Sequence, residues 1–188
     1  MGYYDPYPLI YLDQPLCLIG FMGSDVHSVA YFLSSLSGVP FVELDKLVEH
    51  EVGMSLAQLY LEEGETRWRQ LELKHLERAL KMRPARIICL GDGTLLNDHA
   101  ARLCAESSTL VYLRRPQQTL YTRVVQKRKE SPQRFPLWVR QEPMNVSELL
   151  PLLSTREPSY ERADLLIDIG EMGGLESAQR LAKRLNWF

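Results

Sequence analysis

The chain has few cysteines and no excess of either charge. Three cysteines without a C-x-x-C spacing exclude a disulfide framework and the common zinc patterns. Cys17 and Cys89 sit in apolar strand-like runs and Cys104 in a helix-like one, as expected for buried thiols in a reducing compartment. The 22 basic residues are balanced by 24 acidic ones, for a net charge of −2, so neither a nucleic-acid surface nor attraction to an anionic membrane is expected. No apolar run approaches the ~20 residues that span a bilayer. Residues 1–15 lack the basic start and apolar core of a signal peptide, so a cytoplasmic location is expected. Internal repeats are absent, and 188 residues suit one domain with an adequate core.

What is present is alternation. Short apolar runs at Leu16–Ile19, Pro40–Val42, Ile87–Leu90, Leu110–Leu113 and Leu165–Ile169 are separated by longer helical patterns. That order predicts an α/β protein, a parallel sheet wrapped by helices. Residues 1–13 form a Tyr/Pro-rich arm, expected to lie on its own domain, with capture of a protein partner as the alternative. Residues 14–188 form the domain. A first helix over 26–36 follows Ser24 and Asp25, two good N-caps, and ends near Gly38. A helical insert over about 45–82 is punctuated by Gly53 and Gly64; within it Trp68, Leu71, Leu76 and Leu80 form an apolar stripe that leaves Arg67, Arg69, Glu72, Glu77 and Arg78 mostly aside. Residues 126–147 show no clean period and are expected to be a mobile loop or lid, with Lys127 to Lys129 solvated and Trp138 equally suited to closing over a ligand and to packing within the lid.

The most informative segment follows the first strand. It reads Gly20-Phe21-Met22-Gly23-Ser24-Asp25-Val26-His27-Ser28. The phosphate-binding pattern G-x-x-x-x-G-K-[ST] calls for glycine at 25, lysine at 26 and a hydroxyl at 27. A carboxylate, an apolar side chain and an imidazole stand there instead, and all three oppose a polyphosphate. Asp25 is expected to cap the free amides of the first helix, doing internally what a bound anion would do. A metal site from His27, Asp25 and Asp92 is conceivable, but a solvated imidazole at a helix start is the expectation, and no metal is assigned.

Five segments in order resemble the shikimate kinases: Gly20 to Ser24, Phe41-Val42-Glu43-Leu44-Asp45, Gly64 to Glu72, Leu90-Gly91-Asp92-Gly93-Thr94, and Arg156-Glu157-Pro158-Ser159-Tyr160, with Val111-Tyr112-Leu113 as the intervening strand. The resemblance covers about residues 14–188. It implies a three-layer α/β/α sandwich with a five-stranded parallel sheet, the P-loop kinase fold. It also implies transfer of the terminal phosphoryl of ATP to a ring hydroxyl of shikimate.

Position by position, the resemblance makes Asp45 the catalytic and hydroxyl-binding carboxylate. Arg69 and Arg156 become the pair that grips a ligand carboxylate, and Gly91, Asp92 and Gly93 the adjoining loop. A guanidinium fork suits a carboxylate, and an internal salt-bridge set is the structural alternative. The nucleotide side comprises Gly20, Gly23, Ser24, Asp25, Val26, His27, Ser28 and Arg123, with Arg123 placed on adenine and Arg134 in the lid as a further catalytic candidate. Glu43 stands where the family has an outer magnesium-linked aspartate. Since phosphoryl transfer is mostly positioning and charge neutralisation, Val26 and His27 predict a large loss. The expectation is a pseudokinase with impaired ATP binding that keeps a pocket for a small hydroxylated carboxylate. The alternative is an active or weak shikimate kinase, and only then are ATP and magnesium implied. Monomer and homodimer both remain open.

Overall fold

The computed structural model of the chain describes residues 10–130 and 146–187. Among these, five strands form one parallel sheet: β1 (Leu16–Ile19), β2 (Phe41–Glu43), β3 (Ile87–Cys89), β4 (Thr109–Arg114) and β5 (Leu165–Asp168). Their spatial order is β2-β3-β1-β4-β5, so β1 is central. It pairs on both sides, Leu16 with Ile87 and Thr109, Leu18 with Cys89 and Val111. A strand covered on both faces needs no polar alternation, and Leu-Cys-Leu-Ile is buried throughout.

Side chains leave β1 alternately. Leu16 and Leu18 pack with Val29 and Leu33 of α1 (Val26–Ser37) and Ala178 and Leu181 of the final helix. Cys17 and Ile19 face Leu76 and Leu80 of a long helix, with Leu120 and Leu153 of later ones. The sheet is thus the middle of three layers. Among the described residues the α-helices are α1, α2 (Leu44–Val52), α3 (Leu56–Lys81), α4 (Asp98–Ser107), α5 (Gln117–Glu130), α6 (Val146–Tyr160) and α7 (Gly174–Arg184).

The glycines of the insert act differently from one another. Gly53 ends α2 in the left-handed region at φ 71°, whereas Gly64 lies inside α3 at φ 81°, ψ 173° and kinks it without ending it. Ser55 and Gln58 form a reciprocal capping box at the start of α3. Two sequence expectations need correction. Residues 126–130 belong to α5 and 146–147 to α6, so a lid without helix cannot extend over all of 126–147. Asp25 is the N-cap of α1 by position, but its side chain makes no capping hydrogen bond.

Because β2 and β4 depart to opposite sides of β1 and β3, the carboxyl edge of the sheet opens a crevice beside β1. The loop from Gly20 to Asp25 starts there.

Candidate functional site

The loop keeps a compact frame. The Ser24 amide donates to the Phe21 carbonyl at 2.9 Å, and Gly23 adopts φ 91° with its α-carbon so close to helix α5 that a Cβ would lie 2.9 Å from the Leu120 carbonyl oxygen. A Cβ on Gly20 would lie 2.7 Å from that of Ser24. Asp25 is held at φ 58°, a region that costs a non-glycine residue roughly 1–2 kcal/mol.

What holds it is charge. The Asp25 carboxylate, 7% exposed, accepts from Arg123 Nη1 at 2.5 Å, from Arg115 Nη2 at 3.3 Å and from Lys127 Nζ. Arg115 has no exposed side-chain surface and also donates to the carbonyls of Gly170 and Met172, at 2.6 and 2.8 Å. Burial lowers its pKa and the nearby Arg123 adds to this, while Asp25 opposes both. The carboxylate is therefore aimed at three cations and away from the amides of α1. The guanidinium that the resemblance lays on adenine is bonded to Asp25. Nor are residues 127–129 uniformly solvated, since Lys127 reaches Asp25 and Arg128 is buried.

His27 is exposed and its Nδ1 meets Glu43 Oε1 at 2.9 Å. It does not join Asp25 and Asp92 in a ligand set; among the described residues no group of three or more His, Cys, Asp or Glu side chains could hold a metal ion. Ser28 is turned toward α7, where a Cβ on Gly174 would lie 2.7 Å from its own. Arg134 and Trp138 lie outside the described residues, as does most of the amino-terminal arm.

On the other side of the crevice, Arg69 donates from Nη1 to Glu72 Oε2 at 2.8 Å and from Nε and Nη2 to Glu65 Oε1 at 3.3 and 3.2 Å. Glu72 is buried and accepts from Thr94 Oγ1 at 2.6 Å. Arg69 also lies over the Trp68 ring, 4.2 Å from its centroid. Arg156 donates from Nη1 to Asp92, and Tyr160, one turn further along α6, donates to the Asp92 carbonyl. Burial raises the Asp92 carboxyl while Arg156 and Arg69 hold it down.

Asp45 stands in the first turn of α2 with Oδ1 sealed from solvent and without a hydrogen-bond partner. Its carboxyl is pushed up to about 7, first by burial, then by Glu72 and Asp92, with Arg69 opposing. The loop after β3 packs its two glycines directly against side chains of the site. A Cβ on Gly91 would stand 2.6 Å from Glu72 Oε1, and one on Gly93 2.4 Å from Arg69 Nη2.

Both sides open into one cleft of about 530 Å³, in which Asp25, Val26 and His27 line one end and Asp45, Arg69 and Arg156 the other. Phe21, Tyr60 and Trp68 add aromatic surface. Of the residues singled out from the sequence, Gly20, Gly23, Asp25, Val26, His27, Asp45, Arg69, Gly91, Asp92 and Arg156 line this cleft; Glu72, Thr94, Arg115 and the attachment of Lys127, which hold the lining in place, were not read from the sequence. Only Glu72 gave a signal, standing one helical turn from Arg69.

A five-stranded parallel sheet of this order, with helices on both faces and a glycine-framed loop between its first strand and first helix, is the P-loop kinase fold. The family model described as "Shikimate kinase" matches residues 22–186. The shikimate kinase of Chlorobium chlorochromatii is 35% identical over 157 residues, 80% of each chain, and that of Chlorobaculum parvum 33% identical over 154 residues, again 80% of each. The chain belongs to the shikimate kinase family. Among solved structures, shikimate kinase from Acinetobacter baumannii in complex with shikimate superposes with a TM-score of 0.81 over 98% of this chain and 96% of its own, at 23% identity. That from Aquifex aeolicus gives 0.70 over 92% and 96%, at 25% identity. No described helix is long and apolar enough to cross a membrane.

Proposed function

We propose that this protein is a cytoplasmic pseudokinase of the shikimate kinase family, with its nucleotide site closed from within, that binds shikimate or a similar small hydroxylated carboxylate. The observation that carries this reading is the Asp25 carboxylate seated on Arg115, Arg123 and Lys127. Each of these cations is already bonded to a carboxylate of the chain itself, and a polyphosphate arriving there meets a buried anion. Val26 offers no ammonium and His27 no hydroxyl, so the residues present do not fit a magnesium-bound nucleotide. The solved relative whose description includes bound shikimate supports a hydroxylated acid as the ligand.

Calorimetric titration tests the reading. Shikimate should bind and magnesium-ATP should give no heat at millimolar concentration; tight nucleotide binding with turnover in a coupled kinase assay would overturn it. A second reading, a weak shikimate kinase, draws on Asp45, whose carboxyl near 7 suits proton abstraction from a hydroxyl. Under the first reading the assay stays silent for the intact protein, and the Asp25→Gly, Val26→Lys double variant gains nucleotide affinity.

A further inference from the structure

Two guanidinia converge on the cleft beside the loop 91–93, and neither is free. Arg69 is bonded to Glu65 and Glu72, and Arg156 to Asp92. Three carboxylates therefore serve two cations before any ligand arrives. They differ in how readily they yield. The Glu65 side chain is 55% exposed and can swing into water, while Glu72 is 3% exposed and anchored by Thr94. Asp92 is intermediate, 21% exposed, but it is fixed twice by one turn of α6: Arg156 binds its carboxylate and Tyr160 its carbonyl.

Arg156 itself is buried, lies 5.7 Å from the Phe21 ring centroid, and keeps a sealed Nε without a hydrogen-bond partner. A buried guanidinium in a cleft is a subsite for a planar anion. Here the anion belongs to the chain. Resting on the reading of the cleft given under Proposed function, we propose that Asp92 is a specificity-determining residue whose carboxylate occupies the acid subsite at Arg156. A ligand acid enters only in competition with it, and the neutral form of the same hydroxylated skeleton binds at least as tightly.

The physical reason is one of counting. An acid that displaces Asp92 leaves a carboxylate in a cleft that already holds Asp45 and lies against the buried Glu72; an acid that does not displace it meets only Arg69, already shared between Glu65 and Glu72. A neutral ligand with the same hydroxyls avoids both penalties and still reaches Asp45, whose Oδ1 lacks a partner.

Shikimate and its methyl ester titrated into the intact protein, Asp92→Gly and Asp92→Asn provide the test, with thermal melts to establish that each variant is folded. The ester should bind the intact protein as well as the acid or better. In Asp92→Gly the acid should gain tenfold or more while the ester stays within threefold. Asp92→Asn keeps an oxygen for Arg156 and should give a smaller gain for the acid, which keeps the test available if the glycine variant is unfolded. An acid that binds the intact protein more tightly than the ester, or gains nothing in a folded variant, overturns this assignment and leaves the proposed function standing. Silence of both ligands in all three proteins overturns both.

Discussion

Asp25 and Arg123 meet at 2.5 Å although 98 residues separate them in the chain. With Arg115 and Lys127 they bind the loop after β1 to β4's exit and to α5. Breaking one partner out of a largely buried set leaves uncompensated charge, above all on Arg115, which has no exposed side-chain surface. Asp25→Asn should therefore cost about 3 kcal/mol in urea unfolding, even though asparagine tolerates the left-handed backbone. Sulfate should restore part of the loss in the variant and leave the intact protein unchanged, because a free anion can then take the vacated cations.

Asp45 gives a pH signature. Its carboxyl is pushed up to about 7, so the folded state holds this proton more firmly than the unfolded chain does. Stability from this group is full below the ordinary carboxylate range and is lost as pH rises through about 7. Three units correspond to roughly 4 kcal/mol at most. Asp168 and Glu51 shift the opposite way through Arg114 and Lys74 and lose their contributions as pH falls. The difference between the intact protein and Asp45→Asn isolates the one group: the variant should gain relative stability between pH 4 and 7 and hold the gain above, as read by chemical unfolding at each pH.

Gly93→Ala separates binding from folding. The added Cβ would stand 2.4 Å from Arg69 Nη2, the far end of a flexible side chain, and glycine has an ordinary φ of −104° here. The guanidinium moves and the backbone does not. The domain should stay folded, with a modest drop in melting temperature from the disturbed Arg69–Glu72 pair, while shikimate affinity measured by calorimetry should fall tenfold or more.

The two glycines of the helical insert respond differently to substitution. Neither has an atom within 4 Å of a built Cβ, so backbone conformation alone sets the cost. Gly64 lies in a region nearly confined to glycine, and Gly64→Ala should lose about 1–3 kcal/mol, with asparagine no better. Gly53→Asn should be close to neutral, since asparagine accepts the left-handed region at φ 71°. Paired urea titrations compare them.

The strands were legible because the inner strands of a parallel sheet, covered on both faces, write uninterrupted apolar runs and the edge strands are short and still largely apolar; each named run matches a strand to within a residue at either end. Helix α6 was not, because Pro151 and Pro158 interrupt its pattern. The site divided along similar lines. Asp45, Arg69 and Arg156 could be placed because motifs carry them. The partners of Asp25 could not, because a contact across 90 to 102 residues leaves no local spacing to read. For the same reason local capping rules misdirected the reading of Asp25: a short carboxylate before a helix caps it unless stronger donors lie nearby, and three did. Glu72 was set aside as a polar residue off the stripe, and burial followed from Thr94 and Arg69, which no helical periodicity reports.

The loop hangs from β1, whose four residues are all but sealed from solvent and are hydrogen-bonded to a strand on either side. Amides in such a strand exchange with solvent only when the whole domain opens, so those of residues 17–19 should be among the slowest of the chain. The turn they deliver inherits that durability. Side chains at positions 25–27 can be exchanged without the frame being rebuilt, which separates the loop's shape from the charges it carries.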